Sequence, residues 1–218
     1  MLIPAKKTKN SKIMSSKLQA AFQLFDAYNQ QDPTVFCWEG TNYPQAYFFA
    51  QKLYEWVLKL DPNADEALLL ASRSQHIGRW ESPREDYPMT KEGYLHWRKN
   101  LAVHHAEVCK KILEELNYAP DLIDDVLQII QKKKIKVNSV VQTMENALCL
   151  VFLAYQYEDF FPKHREKIVN ILKKSLLKMD ARGHEFALSL SYSSEGLAYI
   201  KEAVKQLTEK KNTNPTDR

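Results

Sequence analysis

The stretch Gln75-His76-Ile77-Gly78-Arg79-Trp80-Glu81-Ser82-Pro83-Arg84, with Tyr87-Pro88, Tyr94, Trp97-Arg98 and His104-His105 after it, concentrates histidines, arginines and indoles. Apolar packing does not call for them. A core is built from Leu and Ile, whereas each Arg or His near apolar surface must be given a partner. Neutral imidazoles beside a carboxylate are competent ligands for a divalent metal. A buried Glu–His pair is also an acid–base couple whose members push each other's pKa apart. Guanidiniums held in a rigid loop beside a cleft suit the gripping of phosphates.

Helical periodicity decides which of these residues can meet. Residues seven apart on a helix differ by only about 20° in angular position. Arg98 and His105 therefore share one side of the inward arc of their helix, and Trp97 and His104 the other. Glu145 falls beside the inward Met144, Leu148 and Phe152, and His76 lies one heptad beyond Leu69. Three helices thus offer His76, His105 and Glu145 to one interior. These three are the expected ligands of a divalent metal ion, with His105 and Glu145 also the expected catalytic pair. Arg79, Arg84 and Arg98 would steady an anionic ligand, and Trp80 and Trp97 would wall its pocket.

Plainer roles stand beside these. An inward His commonly bonds a backbone carbonyl, Glu145 can pair with Arg98 or Arg79, and Trp80, Trp97 and Tyr94 can serve packing alone. His96, His164 and His184 sit in polar contexts and receive no role. The chain contains no Gly-rich phosphate loop, no GxSxG, no HExxH and no zinc-type Cys/His spacing.

The elements that must position the cluster are helices. Among 218 residues only 5 are Gly, strand-like alternation is nearly absent, and Leu, Ala, Lys, Glu and Gln recur at helical spacing. The expected fold is all-α, a single compact multi-helix domain in an HD-domain-like arrangement. Residues 1–14 read as a disordered tail, 15–192 as the helical domain, 193–210 as a C-terminal helix and 211–218 as a second tail. A first helix starts at Ser15 or Ser16 and stops before Asp32-Pro33, and residues 33–42 form a loop whose Phe36 and Trp38 need cover. Further helices are expected from Pro44 to Asp61, Glu66 to Gly78, Lys91 to Asn117, Asp121 to Lys133 and Ser139 to Tyr157. The last three run near 164–178, 181–190 and 194–210. Ala67–Ala71 and Ala147–Ala154 are apolar on every side, which marks two internal helices.

The net charge of +4 is mild, and Lys132, Lys133, Lys134 and Lys136 form the one internal basic run. A helix end explains this run, so nucleic acid is not an expected partner, nor is a membrane. Three widely spaced cysteines (Cys37, Cys109, Cys149) and the absence of a secretion-type N-terminal segment lead to an expected cytoplasmic location.

These residues resemble the family called domain of unknown function 4202. The likeness is carried by Gln75-His76-Ile77, Arg79-Trp80-Glu81, Pro83-Arg84, Tyr87-Pro88, Gly93-Tyr94, Trp97-Arg98, His105-Ala106-Glu107, Gln142, Glu145, Cys149-Leu150-Val151-Phe152-Leu153 and Lys178-Met179. It runs from about Leu18 to about Leu190 and implies a single helical domain with no assigned activity. The family pattern has an acidic pair where this chain reads Glu145-Asn146. A weaker resemblance is to the HD-domain metal-dependent phosphohydrolases. Leu70 to Gly78 is similar to their first metal-binding element, His105-Ala106 with Leu113 to the second, and Glu145 to the third. Where that family has a His-Asp pair this chain reads Gln75-His76, which leaves mononuclear binding or loss of the metal open.

Two functions follow as expectations: a metal-assisted hydrolase of a small phosphorylated or nucleotide-like compound, or a non-catalytic module for an anionic ligand or partner. A third, RNA binding through Lys132 to Lys136, predicts a steep salt dependence. In geometry, His76, Arg79, Trp80, Arg84, Arg98, His105 and Glu145 are expected to line one concave site. His76 should then lie within a helix-pair spacing of roughly 8–10 Å from His105 or Glu145, and Arg98→Ala should leave Glu145 unpaired.

Overall fold

In the computed structural model, which describes residues 15–133 and 135–213, the helices begin where short polar side chains cap them. Ser15 accepts from Leu18 N ahead of α1 (Ser16–Asn29). A short hairpin, β1 (Val35–Trp38) and β2 (Thr41–Pro44), leads into α2 (Gln45–Leu60). Asp65 caps α3 (Glu66–Ser74). Two 3-10 turns follow, at Arg79–Glu81 and Arg84–Asp86, before Thr90 caps α4 (Lys91–Glu115). Next come α5 (Pro120–Ile130), with Pro at its first turn, and α6 (Ser139–Tyr155), capped by Asn138. A one-turn α7 (Tyr157–Phe160), then α8 (Ile168–Lys178), α9 (Ala181–Ser189) and α10 (Ser194–Thr213) complete the described chain.

The result is a compact, mostly helical domain around one apolar cluster. Its centre is α6, which packs against α2, α3, α5, α8 and α9. Met144, Ala147 and Leu150 are fully buried there, consistent with an apolar run that has no outward face. At a typical 1.5–3 kcal/mol per fully buried large apolar side chain, this helix contributes much of the drive to fold.

The segment 33–42, expected as a loop, is instead a hairpin in which Val35 pairs with Pro44 and Trp38 with Thr41. Its turn places Glu39 and Gly40 at φ 48° and 78°, the left-handed pair that a two-residue hairpin loop requires. Phe36 and Trp38 find their cover on Phe48, Phe49 and Tyr155, with ring centroids 4.7–6.0 Å apart. Expected helix boundaries also move: α3 ends at Ser74 rather than Gly78, α5 at Ile130 rather than Lys133, α8 starts at Ile168 rather than near 164, and the last helix runs to Thr213. The expected tails at 1–14 and beyond Thr213 lie outside the described residues, as does Lys134 of the basic run. No described helix is long and apolar enough to cross a membrane.

Asn146, where the resemblance implies a second acid, has partners of its own. It is fully buried, donates Nδ2–H to Asp180 Oδ1 (2.7 Å), and accepts at Oδ1 from Asp180 N (3.1 Å) and Gln142 Nε2 (3.0 Å). This network ties α6 to the start of α9, and only an amide both donates and accepts there. Asn146→Asp sets a second carboxylate against Asp180, so a loss of about 3 kcal/mol in urea unfolding is expected at neutral pH. The loss should shrink as pH falls to about 4 and the new carboxyl takes a proton.

Candidate functional site

The site begins where α3 stops. Gln75 caps it, its side chain donating to Ile130 O (3.0 Å), and Gly78 at φ 66° turns the chain back. A Cβ at position 78 would lie 2.7 Å from His104 Nε2, so this left-handed turn admits only glycine. His104 donates from Nε2 to Gly78 O (3.1 Å) and faces Glu81 Oε2 (3.0 Å), while Tyr28 OH donates to Glu81 Oε1 (2.7 Å). The clasp fixes the first 3-10 turn and with it Arg79. The Arg79 guanidinium lies over the Trp97 ring at 5.2 Å, and the indole is anchored by donating Nε1–H to Ser82 O at 2.9 Å.

Beneath this turn, between α2, α6 and the end of α5, lies a cavity of about 350 Å³. His76, Arg79, Arg98, Lys132, Lys178 and Glu145 line it, together with Asp32. A smaller cavity of about 70 Å³ adjoins it, sharing His76, Arg79, Arg98 and Lys132 and adding His105 and Gln75. The structure thus brings His76, Arg79, Arg98, His105 and Glu145 together, with the His76 and His105 rings 5.9 Å apart, edge to face.

Two expected members stay out. Arg84 spends its guanidinium on the loop itself, donating to Tyr87 O and Pro88 O at 2.8 Å each. Trp80 turns to the other side and packs on Tyr28 at 5.8 Å. Neither lines the cavity: Arg84 pins the loop, and Trp80 docks it on α1. Trp97 acts from behind, as the shelf under Arg79.

Charge balance is the decisive property of the cavity. Glu145, 2% exposed, lies 2.8 Å from Lys132 Nζ and 3.4 Å from Lys178 Nζ, not beside Arg98 or Arg79. Burial pushes its carboxyl up, but the two ammonium groups outweigh that and hold it below its usual range. Asp32 is committed as well, accepting from Thr34 N and Ala46 N at 2.9 Å and so capping α2. Among the described residues, no carboxylate pairs with Arg79 or Arg98. The Arg98 side chain makes one hydrogen bond among the described residues, a long one to Tyr94 OH at 3.5 Å. Burial and the charge of Arg98 both push the Arg79 guanidinium down.

The same surplus acts on the histidines. Burial drives His76 well below its usual range, and Arg79, His105, Lys132 and Arg98 add to it. His105 donates Nδ1–H to Ile77 O at 2.6 Å, the plain role foreseen for an inward histidine. Burial pushes it down to about 3 even against that bond. Both rings are neutral at pH 7.

The expected metal triad does not fit this arrangement. His105 keeps Nε2 for a ligand, but both Glu145 oxygens face lysines and four cations surround the place a divalent ion would take. Among the described residues no group of three or more His, Cys, Asp or Glu is placed to hold a metal.

Lys132 and Lys178 were not foreseen as site residues. Lys132 reads as one of a run of lysines at a helix end, yet it stands just past α5 at φ 55° and bends inward to Glu145. The left-handed conformation costs an L residue about 1–2 kcal/mol, and Gly or Asn usually takes that position. Its inward turn also removes one member of the basic run proposed to face RNA. A lysine two residues past Ile129-Ile130, and Lys178 within the quoted Lys178-Met179 pair, were the available signals.

A family profile described as Domain of unknown function (DUF4202) matches residues 19–200. The chain belongs to this family. No curated protein and no solved structure matches it. The DUF4202 region takes in every residue of the cavity, from Asp32 to Lys178.

The depressed histidines have a measurable consequence. The folded state prefers them neutral, so the unfolded chain binds their protons first as pH falls. Stability is then complete above about pH 6.5 and declines below it, by about 1.4 kcal/mol per pH unit for each histidine. His105→Gln, whose amide can still donate to Ile77 O, should remove one of the two contributions. The slope of the urea-derived stability between about pH 6.5 and 5 should roughly halve; an unchanged slope would show that His105 is not held neutral.

Proposed function

We propose that this DUF4202 domain binds a small phosphorylated compound in the 350 Å³ cavity. One observation carries the reading: Arg79 and Arg98 face the same cavity without a carboxylate partner, while both acids there are already committed. Clustered cations repel one another, as the lowered pKa of Arg79 registers, and an entering dianion relieves that repulsion. Guanidinium forks match phosphate oxygens, and the ammonium groups of Lys132 and Lys178 add charge from the other wall. Glu145 serves as the counter-ion that keeps the two lysines in place between ligand encounters.

Arg98 gives the direct test. It is exposed, lies close enough to Arg79 to repel it, and is not the partner of Glu145, so its removal leaves no buried acid orphaned. Arg98→Ala should change stability by no more than about 0.5 kcal/mol. A charge-assisted hydrogen bond to phosphate is worth about 1.5–3 kcal/mol, so the same variant should bind inorganic phosphate about 10- to 150-fold more weakly by calorimetry. Saturating phosphate at a hundredfold excess over Kd should stabilise the unsubstituted protein by about 2.7 kcal/mol. A protein that shows no phosphate-dependent thermal shift would refute the reading.

A hydrolytic role draws on a separate observation, the His76 ring. It faces the cavity and has no hydrogen-bond partner among the described residues, so it is free to move a proton to or from a ligand. Glu145→Gln separates the readings. Phosphate affinity should persist or increase in this variant, because one negative charge leaves the cavity. Release of phosphate from p-nitrophenyl phosphate that collapses in the same variant would favour hydrolysis instead.

A further inference from the structure

The charged residues account for only part of the cavity. Gln45, Phe49 and Leu53 form one stripe along α2, and Glu145, Leu148 and Phe152 descend one face of α6, with Gln156 just past its end. From Glu145 to Gln156 the span is roughly 16 Å at 1.5 Å per residue. Beyond the cations, therefore, the wall turns apolar and carries two carboxamides.

Those carboxamides are unspent. The side chains of Gln45 and Gln156 are half-buried in the cavity wall and make no hydrogen bond among the described residues. Phe49 and Phe152 line the same space, each with its ring part-exposed. An apolar wall with aromatic rings suits the faces of a flat ring. Free amides, each with both a donor and an acceptor, suit its edge. A sugar body alone would present hydroxyls to Phe49, Leu53, Leu148, Val151 and Phe152, where they would find no partner. The volume of about 350 Å³ lies at the small end of ligand pockets, which fits one phosphate and one base rather than a long polyphosphate.

We infer that the ligand is a nucleoside monophosphate, its phosphate held by Arg79, Arg98, Lys132 and Lys178 and its base set between the phenylalanines and read by Gln45 and Gln156. This rests on the phosphate reading of the charged end. The two can fail separately.

Calorimetry of the full chain with AMP, GMP, CMP and UMP, beside inorganic phosphate and glucose 6-phosphate, tests it. At least one nucleotide should bind tenfold or more tighter than both inorganic phosphate and glucose 6-phosphate. Gln156→Leu, at a position whose side chain holds nothing else, should erase that gain while leaving phosphate affinity within about threefold. Gln45→Leu should act in the same direction. Nucleotides no tighter than phosphate, glucose 6-phosphate as tight as the best nucleotide, or a nucleotide gain that survives both substitutions would each overturn the inference and leave the phosphate reading standing. Binding of none of the six would overturn both.

Discussion

A buried carboxylate must be answered by positive charge, and Glu145 sets that demand for the whole site. Placed in the central helix, it draws Lys132 in from the end of α5 and Lys178 from the end of α8. The ends of α5 and α8 are thereby held on α6 about one point. The lysines overbalance a single carboxylate, and Arg79 and Arg98 from α4 and its preceding turn add to the excess. The cavity is therefore stable in its shape but unsatisfied in its charge. That condition suits a receptor for an anion better than a cradle for a metal, since the same cations that would welcome phosphate repel a divalent ion.

Much of the scaffold was legible in the sequence because helices repeat and caps are local. The apolar run at 147–154 announced a central helix, and the first helix starts at the serines that marked it, with Ser15 as its cap. The hairpin was not legible. Its strands are four residues each, and its turn uses Glu-Gly rather than the Asn-Gly or Asp-Gly pairs that advertise such a loop.

The same contrast divides the site. Arg98, His105 and Glu145 lie on long helices, where angular phase tells which way a side chain points, and they converge as that phase implies. Trp80 and Arg84 lie in a segment with no period, where direction depends on contacts that sequence does not display. Trp80 was drawn away by Tyr28, and Arg84 by the carbonyls of Tyr87 and Pro88. The partners of Glu145 were misjudged for a related reason. A lysine just past a helix end reads as solvated, and only the reversal of the chain at Lys132 brings its ammonium inside.

That reversal has a consequence for how the chain is maintained over generations. Random substitution tests every position for foldability, and a left-handed helix terminus is among the places where improvement is easiest, since glycine there relieves the backbone at once. Position 132 is an exception, because glycine there would relieve the backbone while leaving the buried Glu145 carboxylate with Lys178 alone. The strain in the backbone at 132 and the charge of its side chain are therefore tied together, and neither can be relieved alone. Lys132 and Glu145 behave as one unit: a change that removes the lysine strands the buried carboxylate beneath it, so a gain in backbone freedom at 132 is kept only where 145 changes with it.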